Sequence, residues 1–133
     1  MNEPETIRKI YDMKTIAVVG LSPKPQRPSH YVAKYLQDQG YRIIPVNPGH
    51  NELLGETSYA TLQDIPESVD VVDVFRRPEQ VDPIIDAAIE IGARALWLQD
   101  GVVNKAAAEW AEEAGLLVVM NDCMLRQHLQ LFG

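Results

Sequence analysis

The sequence predicts an α/β domain in which a parallel sheet lies buried between two helical layers. Two observations carry this expectation. Short apolar runs alternate with helical patterns along the whole chain, and four of the five runs are nearly continuous in apolar side chains. Strands covered on both faces need such continuity, whereas a strand with one wet face alternates. A third observation bounds the size. The 133 residues, 46% of them hydrophobic, can fill one substantial core, so a single domain over residues 1–133 is expected.

The runs are TIAVVG (15–20), YRIIPV (41–46), VDVVDVF (69–75), ARALWLQ (93–99) and LLVVM (116–120). In the third, Asp70 and Asp73 interrupt the valines, which places this strand near a sheet edge. Their spacing of three puts the two carboxylates on opposite faces, so they form no dyad. Between the runs, residues 29–40 carry Val32 and Leu36 on one helical face and stop at Gly40. Residues 78–92 place Ile84, Ile85, Ala88 and Ile91 at helical spacing before Gly92. Residues 104–115 open with Asn104 and residues 122–132 with Asp122, side chains suited to accept from the unpaired N–H groups of a first helical turn. Residues 3–12 read as a leading helix and 60–66 as one short turn. Trp97 and Trp110 are expected to pack between layers. With right-handed crossovers, the five strands give a Rossmann-like, doubly wound three-layer sandwich in the order 3-2-1-4-5. Ligands of such sheets bind outside the carboxyl ends of the strands where the order reverses, here at the end of the first strand.

Composition narrows the function. A single cysteine excludes an internal disulfide and any multi-cysteine metal site, and His30, His50 and His128 show no metal-ligand spacing. No metal is expected. No apolar run approaches the roughly 20 residues that cross a bilayer, and the opening MNEPETIRKIYD is too polar for a secretory signal. A cytoplasmic protein without membrane contact is therefore expected. The net charge of −7 argues against nucleic acid, whose binders draw affinity from basic side chains. That charge is unevenly spread. Between residues 13 and 51 five bases stand against one acid, Asp38, a local +4 that leaves −11 to the rest of the chain.

The bases centre on VVGLSPKPQRPSHYV, residues 18–32. After Gly20 the chain must turn from the first strand into a helix whose leading N–H groups lack internal partners. Gly20 permits close backbone approach, Ser22 and Ser29 offer hydroxyls, and Lys24 and Arg27 supply charge. Prolines 23, 25 and 28 stiffen the loop, so less entropy is lost when a ligand orders it. The pattern reads as a phosphate cradle, with an ordinary strand-to-helix loop as the alternative. The G-x-G-x-x-G fingerprint is absent, because no glycine follows Gly20 before Gly40, and no carboxylate follows the second strand until Glu52. NAD is thereby disfavoured. A ribose with an extra phosphate, as in NADP or coenzyme A (CoA), suits the nearby bases better.

Six strings, in order, carry a resemblance. They are V-G-L-S-x-x-P-x-R-P-S (19–29), G-Y-R-I-I-P-V-N-P (40–48), L-L-G-E-T-S-Y (53–59), V-D-V-V-D-V-F-R (69–76), W-L-Q-D-G-V-V-N (97–104) and A-G-L-L-V-V-M-N-D-C-M (114–124). Together they resemble the small stand-alone CoA-binding proteins, themselves similar to the N-terminal CoA-binding domain of the succinyl-CoA synthetase alpha subunit. The resemblance implies that Gly20, Leu21, Ser22, Lys24, Arg27 and Ser29 hold the CoA phosphates. It places Val46, Asn47 and Pro48 beside the adenosine part, Phe75 and Arg76 in the same crevice, and Gln99 and Gly101 near the pantetheine path. Two positions depart from the family pattern: Leu21 stands where alanine is usual, and Asn121-Asp122 replaces a common Asp-Arg before Cys123.

Catalysis is not expected. The synthetase needs a phosphorylated histidine in a second domain and a nucleotide-binding partner subunit, and 133 residues hold neither. The histidines read as surface or packing residues. Cys123, near the start of the last helix, either packs there or reacts as a thiol toward CoA. The leading expectation is a protein that binds CoA or acyl-CoA. The rivals are an NADP-dependent reductase and a CoA-responsive regulatory or scaffolding protein with a protein partner.

Overall fold

The computed structural model describes residues 1–133. Helix α1 (Pro4–Tyr11) leads into strand β1 (Thr15–Val19), followed by α2 (Pro28–Asp38) and β2 (Arg42–Val46). A small hairpin, β3 (Glu52–Leu53) with β4 (Glu56–Thr57), and a 3-10 turn at Leu62–Asp64 come before β5 (Val71–Val74). Then α3 (Val81–Glu90), β6 (Ala95–Leu98), α4 (Lys105–Glu113), β7 (Leu117–Met120) and α5 (Met124–Phe132) complete the chain. The hairpin was not expected from the sequence. Its two-residue strands are too short to show periodicity.

All five long strands pair in parallel, in the spatial order β2-β1-β5-β6-β7. The two predicted helical layers are both present. One face of the sheet packs Val19, Val72, Leu96 and Val118 against Val81, Ile85 and Ala88 of α3 and Ala107, Ala108 and Ala111 of α4. The other packs Ile16, Val18, Val71 and Trp97 against Ile10 of α1, Val32 and Leu36 of α2 and Met124 of α5. Trp97 is fully buried as expected, but Trp110 is 37% exposed on the outer side of α4. The three alanines of α4 face the sheet instead, letting the helix sit close.

The winding 3-2-1-4-5 is met with a rudimentary element in the third place. Tyr59 forms a single parallel bridge outside β2, its N–H donating to Pro45 O at 3.1 Å and its carbonyl accepting from Asn47 N at 2.9 Å. Counted on the five long strands alone, however, the order is 2-1-3-4-5, and the run 69–75 supplies the central strand, where an edge was expected. The correction turns on Asp73. The alternation of this run implied a wet face, yet Asp73 is 0% exposed between Val18 of β1 and Trp97 of β6. Its Oδ1 accepts from Gln99 Nε2 at 2.6 Å, and its Oδ2 has no partner. Asp70, three residues earlier and just before β5, behaves conventionally and accepts from the N–H groups of Lys14 and Thr15.

Helix ends follow local chemistry. Asn104 caps α4, its side chain accepting from Ala107 N at 3.1 Å, a contact of about 1 kcal/mol. At α5 the cap position falls to Cys123, and Asp122 accepts from Cys123 N and Arg126 instead. The layers are tied by side chains as well as by packing. Tyr11 donates to Met124 O, Tyr41 donates to Tyr11 O at 2.8 Å, and Tyr35 meets His128 Nδ1 at 2.7 Å. Burial holds the His128 pKa below its ordinary value. The neutral ring thus serves packing between α2 and α5, as the sequence reading allowed.

Gly20 ends β1 in a left-handed conformation, φ +89°, and a side chain there would place Cβ 2.5 Å from Phe75 O. Gly20→Ala is expected to destabilise the fold by roughly 1–3 kcal/mol, seen as a lower urea midpoint; an unchanged midpoint would show that the backbone can yield. Asp73 generates a pH dependence. Burial pushes its carboxyl up to about 7, opposed in part by the Gln99 hydrogen bond. Between the usual carboxylate range and that value the folded protein keeps a proton that the unfolded chain releases, so stability falls as pH rises. Relative to Asp73→Asn, the native protein should lose on the order of 2–4 kcal/mol between about pH 4 and pH 7.5. Parallel stability profiles for the two proteins would contradict this account.

Candidate functional site

Because β1 and β5 are neighbours whose following helices lie on opposite faces, their carboxyl ends part to leave a crevice. This is the switch point at which doubly wound sheets bind ligands. A cleft of about 670 Å³ opens there, and no other cavity of note exists. That volume falls within the range of small-molecule sites. Ten of the thirteen residues expected from the sequence line it: Gly20, Ser22, Lys24, Arg27, Ser29, Asn47, Phe75, Arg76, Gln99 and Gly101.

Three do not. Leu21 is fully buried under α2, Val46 belongs to the core on the opposite face, and Pro48 is exposed outside the cleft. The pleat explains Val46, whereas Leu21 follows Gly20, whose left-handed backbone ends the alternation and turns the next side chain under α2. Side chains at the end of a parallel strand alternate between layers, so only some residues of a contiguous motif can face the crevice. Arg77, Tyr31 and Cys123 line the cleft as well. Arg77 was legible as the second base of an Arg-Arg pair after the third run. Tyr31 reads in sequence only as a helix residue.

Several polar groups expected to hold phosphate also organise the loop, the two serine oxygens as acceptors that keep their O–H free to donate. Ser22 N donates to Ser29 Oγ at 2.9 Å, Lys24 N donates to Ser22 Oγ at 3.1 Å, and Gly20 N donates to Val46 O at 2.9 Å. His30 Nδ1 lies 2.9 Å from Ser22 O. Asn47 bridges the two strand ends, donating from Nδ2 to Leu21 O at 2.9 Å while its Oδ1 accepts from Gly49 N. The start of α2 also offers fewer donors than the sequence implied. Pro28 has no N–H, and the N–H groups of His30 and Tyr31 already bond Arg27 O.

The positive charge that remains comes from side chains. Lys24, Arg27, Arg76 and Arg77 line the cleft, and none of the four makes a salt bridge. Asp100, the sole acid in the lining, is engaged by Arg126 through two hydrogen bonds of 2.9 Å, which hold its carboxyl below the usual range. The cleft is thus a cationic basin on a chain of net charge −7. Such a basin attracts a polyanion and orients it by charge. None of the three histidines lines it. No group of acids, histidines and cysteine is arranged to hold a metal, and no helix is long and apolar enough to cross a membrane.

Comparison with known proteins agrees with this fold. Residues 14–128 match the CoA binding domain family. The uncharacterized protein YneT of Bacillus subtilis is 44% identical over 115 residues, covering 86% of this chain and 85% of that protein. The ADP-forming acetate–CoA ligase I of Archaeoglobus fulgidus is 26% identical over 128 residues, 89% of this chain but only 19% of the ligase. Among solved structures, a hypothetical protein from Pyrococcus horikoshii superposes with a TM-score of 0.93 at 43% identity, over 97% of this chain and 92% of that one. A Thermus thermophilus protein gives 0.92 at 40% identity, over 99% and 100%. With the family match spanning nearly the whole sheet and a small relative similar along most of its length, the chain belongs to the CoA binding domain family.

Proposed function

We propose that the cleft binds CoA or an acyl-CoA, with the phosphates among Lys24, Arg27, Arg76 and Arg77 and the pantetheine arm running toward Gln99 and Gly101. The observation that carries this reading is the set of four unpaired cations converging on one crevice beside an acid already neutralised by Arg126. CoA has a pyrophosphate and a ribose phosphate, so its negative charge suits a basin of this kind. A guanidinium forks onto phosphate oxygens, and a lysine adds a compact point charge.

Binding, with no chemistry of its own, is the role this lining supports. His30 is committed to Ser22 O, and His128 lies in the packing between α2 and α5. Asn47 stands where dinucleotide enzymes of this architecture carry an acid for the ribose hydroxyls. Its amide is spent on Leu21 O and Gly49 N, and it brings no negative charge to repel a ribose phosphate. The ADP-forming acetate–CoA ligases contain a related segment within a much longer chain. The same module here is read as a CoA carrier or sensor in the cytoplasm.

Calorimetric titration with CoA, dephospho-CoA and NADP tests the reading directly. CoA should bind, dephospho-CoA should bind more weakly, and NADP should compete poorly. Lys24→Ala and Arg27→Ala should each weaken CoA binding about 5- to 30-fold, or about 1–2 kcal/mol, because charge-assisted contacts at exposed side chains are partly screened by solvent. Unchanged affinity in both variants, or tight NADP binding that CoA does not displace, would overturn the assignment.

A further inference from the structure

The central strand carries one polar side chain where every neighbour is apolar. Asp73 is flanked along β5 by Val71, Val72 and Val74 and across the sheet by Val18 and Trp97. Its single hydrogen bond comes from Gln99, the residue just past β6 that lines the cleft. Gln99 is itself 2% exposed, so its amide has little freedom to reorient.

That contact fixes which end of the amide faces the ligand. In the structure the Gln99 Nε2 donor faces Asp73 Oδ1, an oxygen that accepts whether the carboxyl has lost its proton or holds it on Oδ2, and Oε1 turns away. No protein donor reaches Oε1. Asp73 Oδ2 is the one side-chain atom that is both buried and unpartnered. Oε1 therefore keeps solvent contact, and the cleft lined by Gln99 is where it finds it. An apolar residue at position 73 would leave Nε2 without a partner and let the amide turn over. The two ends of the amide differ in kind: the oxygen receives an N–H or O–H donor and repels a phosphate, whereas the NH₂ does the reverse.

We propose that Asp73 is a positioning residue that locks the Gln99 amide with its oxygen toward the cleft, so that this wall selects a ligand bearing a secondary-amide N–H. The inference rests on the CoA reading, since the pantetheine arm of CoA carries two such amides. It assigns that arm a specific acceptor and separates the cleft into a cationic part for phosphates and a carbonyl-lined part for the amide chain. Asp73 touches no ligand and acts through Gln99.

The test compares CoA with 3'-phospho-ADP, which has the nucleotide and phosphates of CoA without the pantetheine arm. Native protein should bind both, CoA more tightly. Asp73→Leu and Gln99→Met should each lower CoA affinity about 3- to 10-fold, the range of one neutral hydrogen bond, and leave 3'-phospho-ADP within about 2-fold. The double variant should be no weaker than the weaker single one, since both remove the same contact. Gln99→Met takes the donor from Asp73 Oδ1 but leaves the central strand unaltered, which keeps the test open if Asp73→Leu folds poorly. Equal losses for both probes, additive losses in the double variant, or unchanged CoA affinity in Gln99→Met would each overturn the positioning role. Failure of the native protein to bind either probe would overturn the CoA reading and this inference with it.

Discussion

The close approach of two strand ends, at Gly20 of one and Phe75 of the other, is the constraint on which the rest of the structure depends. Parallel pairing brings β1 and β5 side by side, and Phe75 N donates to Val19 O at 2.9 Å to continue that pairing to the last residue. Only a residue without Cβ can then turn away at Gly20, since a side chain would meet the Phe75 carbonyl. From this point one chain leaves for α2 and the other for α3, on opposite faces of the sheet. The crevice between them is a consequence of winding and not of any binding motif. The sequence around it decides what the crevice receives.

Electrostatics supplies that decision. Most cations elsewhere in the molecule have partners: Arg42 holds Glu56 and Glu67, Arg126 holds Asp100 and Asp122, and Lys34 holds Asp38. Such exposed pairs add little stability, about 0–1 kcal/mol each, but they cancel charge locally. Lys24, Arg27, Arg76 and Arg77 are left uncancelled around one opening. Neighbouring like charges repel, so a bound polyanion relieves a cost that the unliganded protein carries. The acidic remainder of the surface repels the same polyanion everywhere else, which confines binding to the cleft.

Much of this was legible in the sequence, for physical reasons that also mark the limits. Continuous apolar runs gave four strands at nearly their observed bounds, because burial on both faces leaves no room for polar residues. The run 69–75 was misplaced because periodicity treats any aspartate as a sign of water. It cannot see that Gln99, 26 positions later, supplies a partner inside the fold. The site shows the same division. Basic residues in a loop declare themselves, as Lys24 and Arg27 did, because nothing nearby in sequence neutralises them. Hydroxyls do not: only the fold shows that Ser29 Oγ accepts from Ser22 N, a bond that leaves its O–H free to donate. Leu21 and Val46 belong to motifs that match as strings, yet the left-handed turn at Gly20 and the pleat of β2 turn their side chains into the core.

The buried carboxyl sharpens the relation between stability and function in this fold. A valine at position 73 would match its neighbours on the strand and remove an orphaned oxygen from the centre of the sheet. Desolvating a carboxyl without full hydrogen bonding costs free energy that one bond from Gln99 only partly offsets. The expense is local, because Val18 and Trp97 still pack around the site and the parallel ladder runs through it unbroken. What the carboxyl provides is direction: it reaches the cleft only through Gln99, whose amide it orients at the one place where ligand and sheet meet. A polar group held at a loss in the core and coupled to the cleft by a single hydrogen bond fits a sheet whose centre contributes to recognition as well as to rigidity.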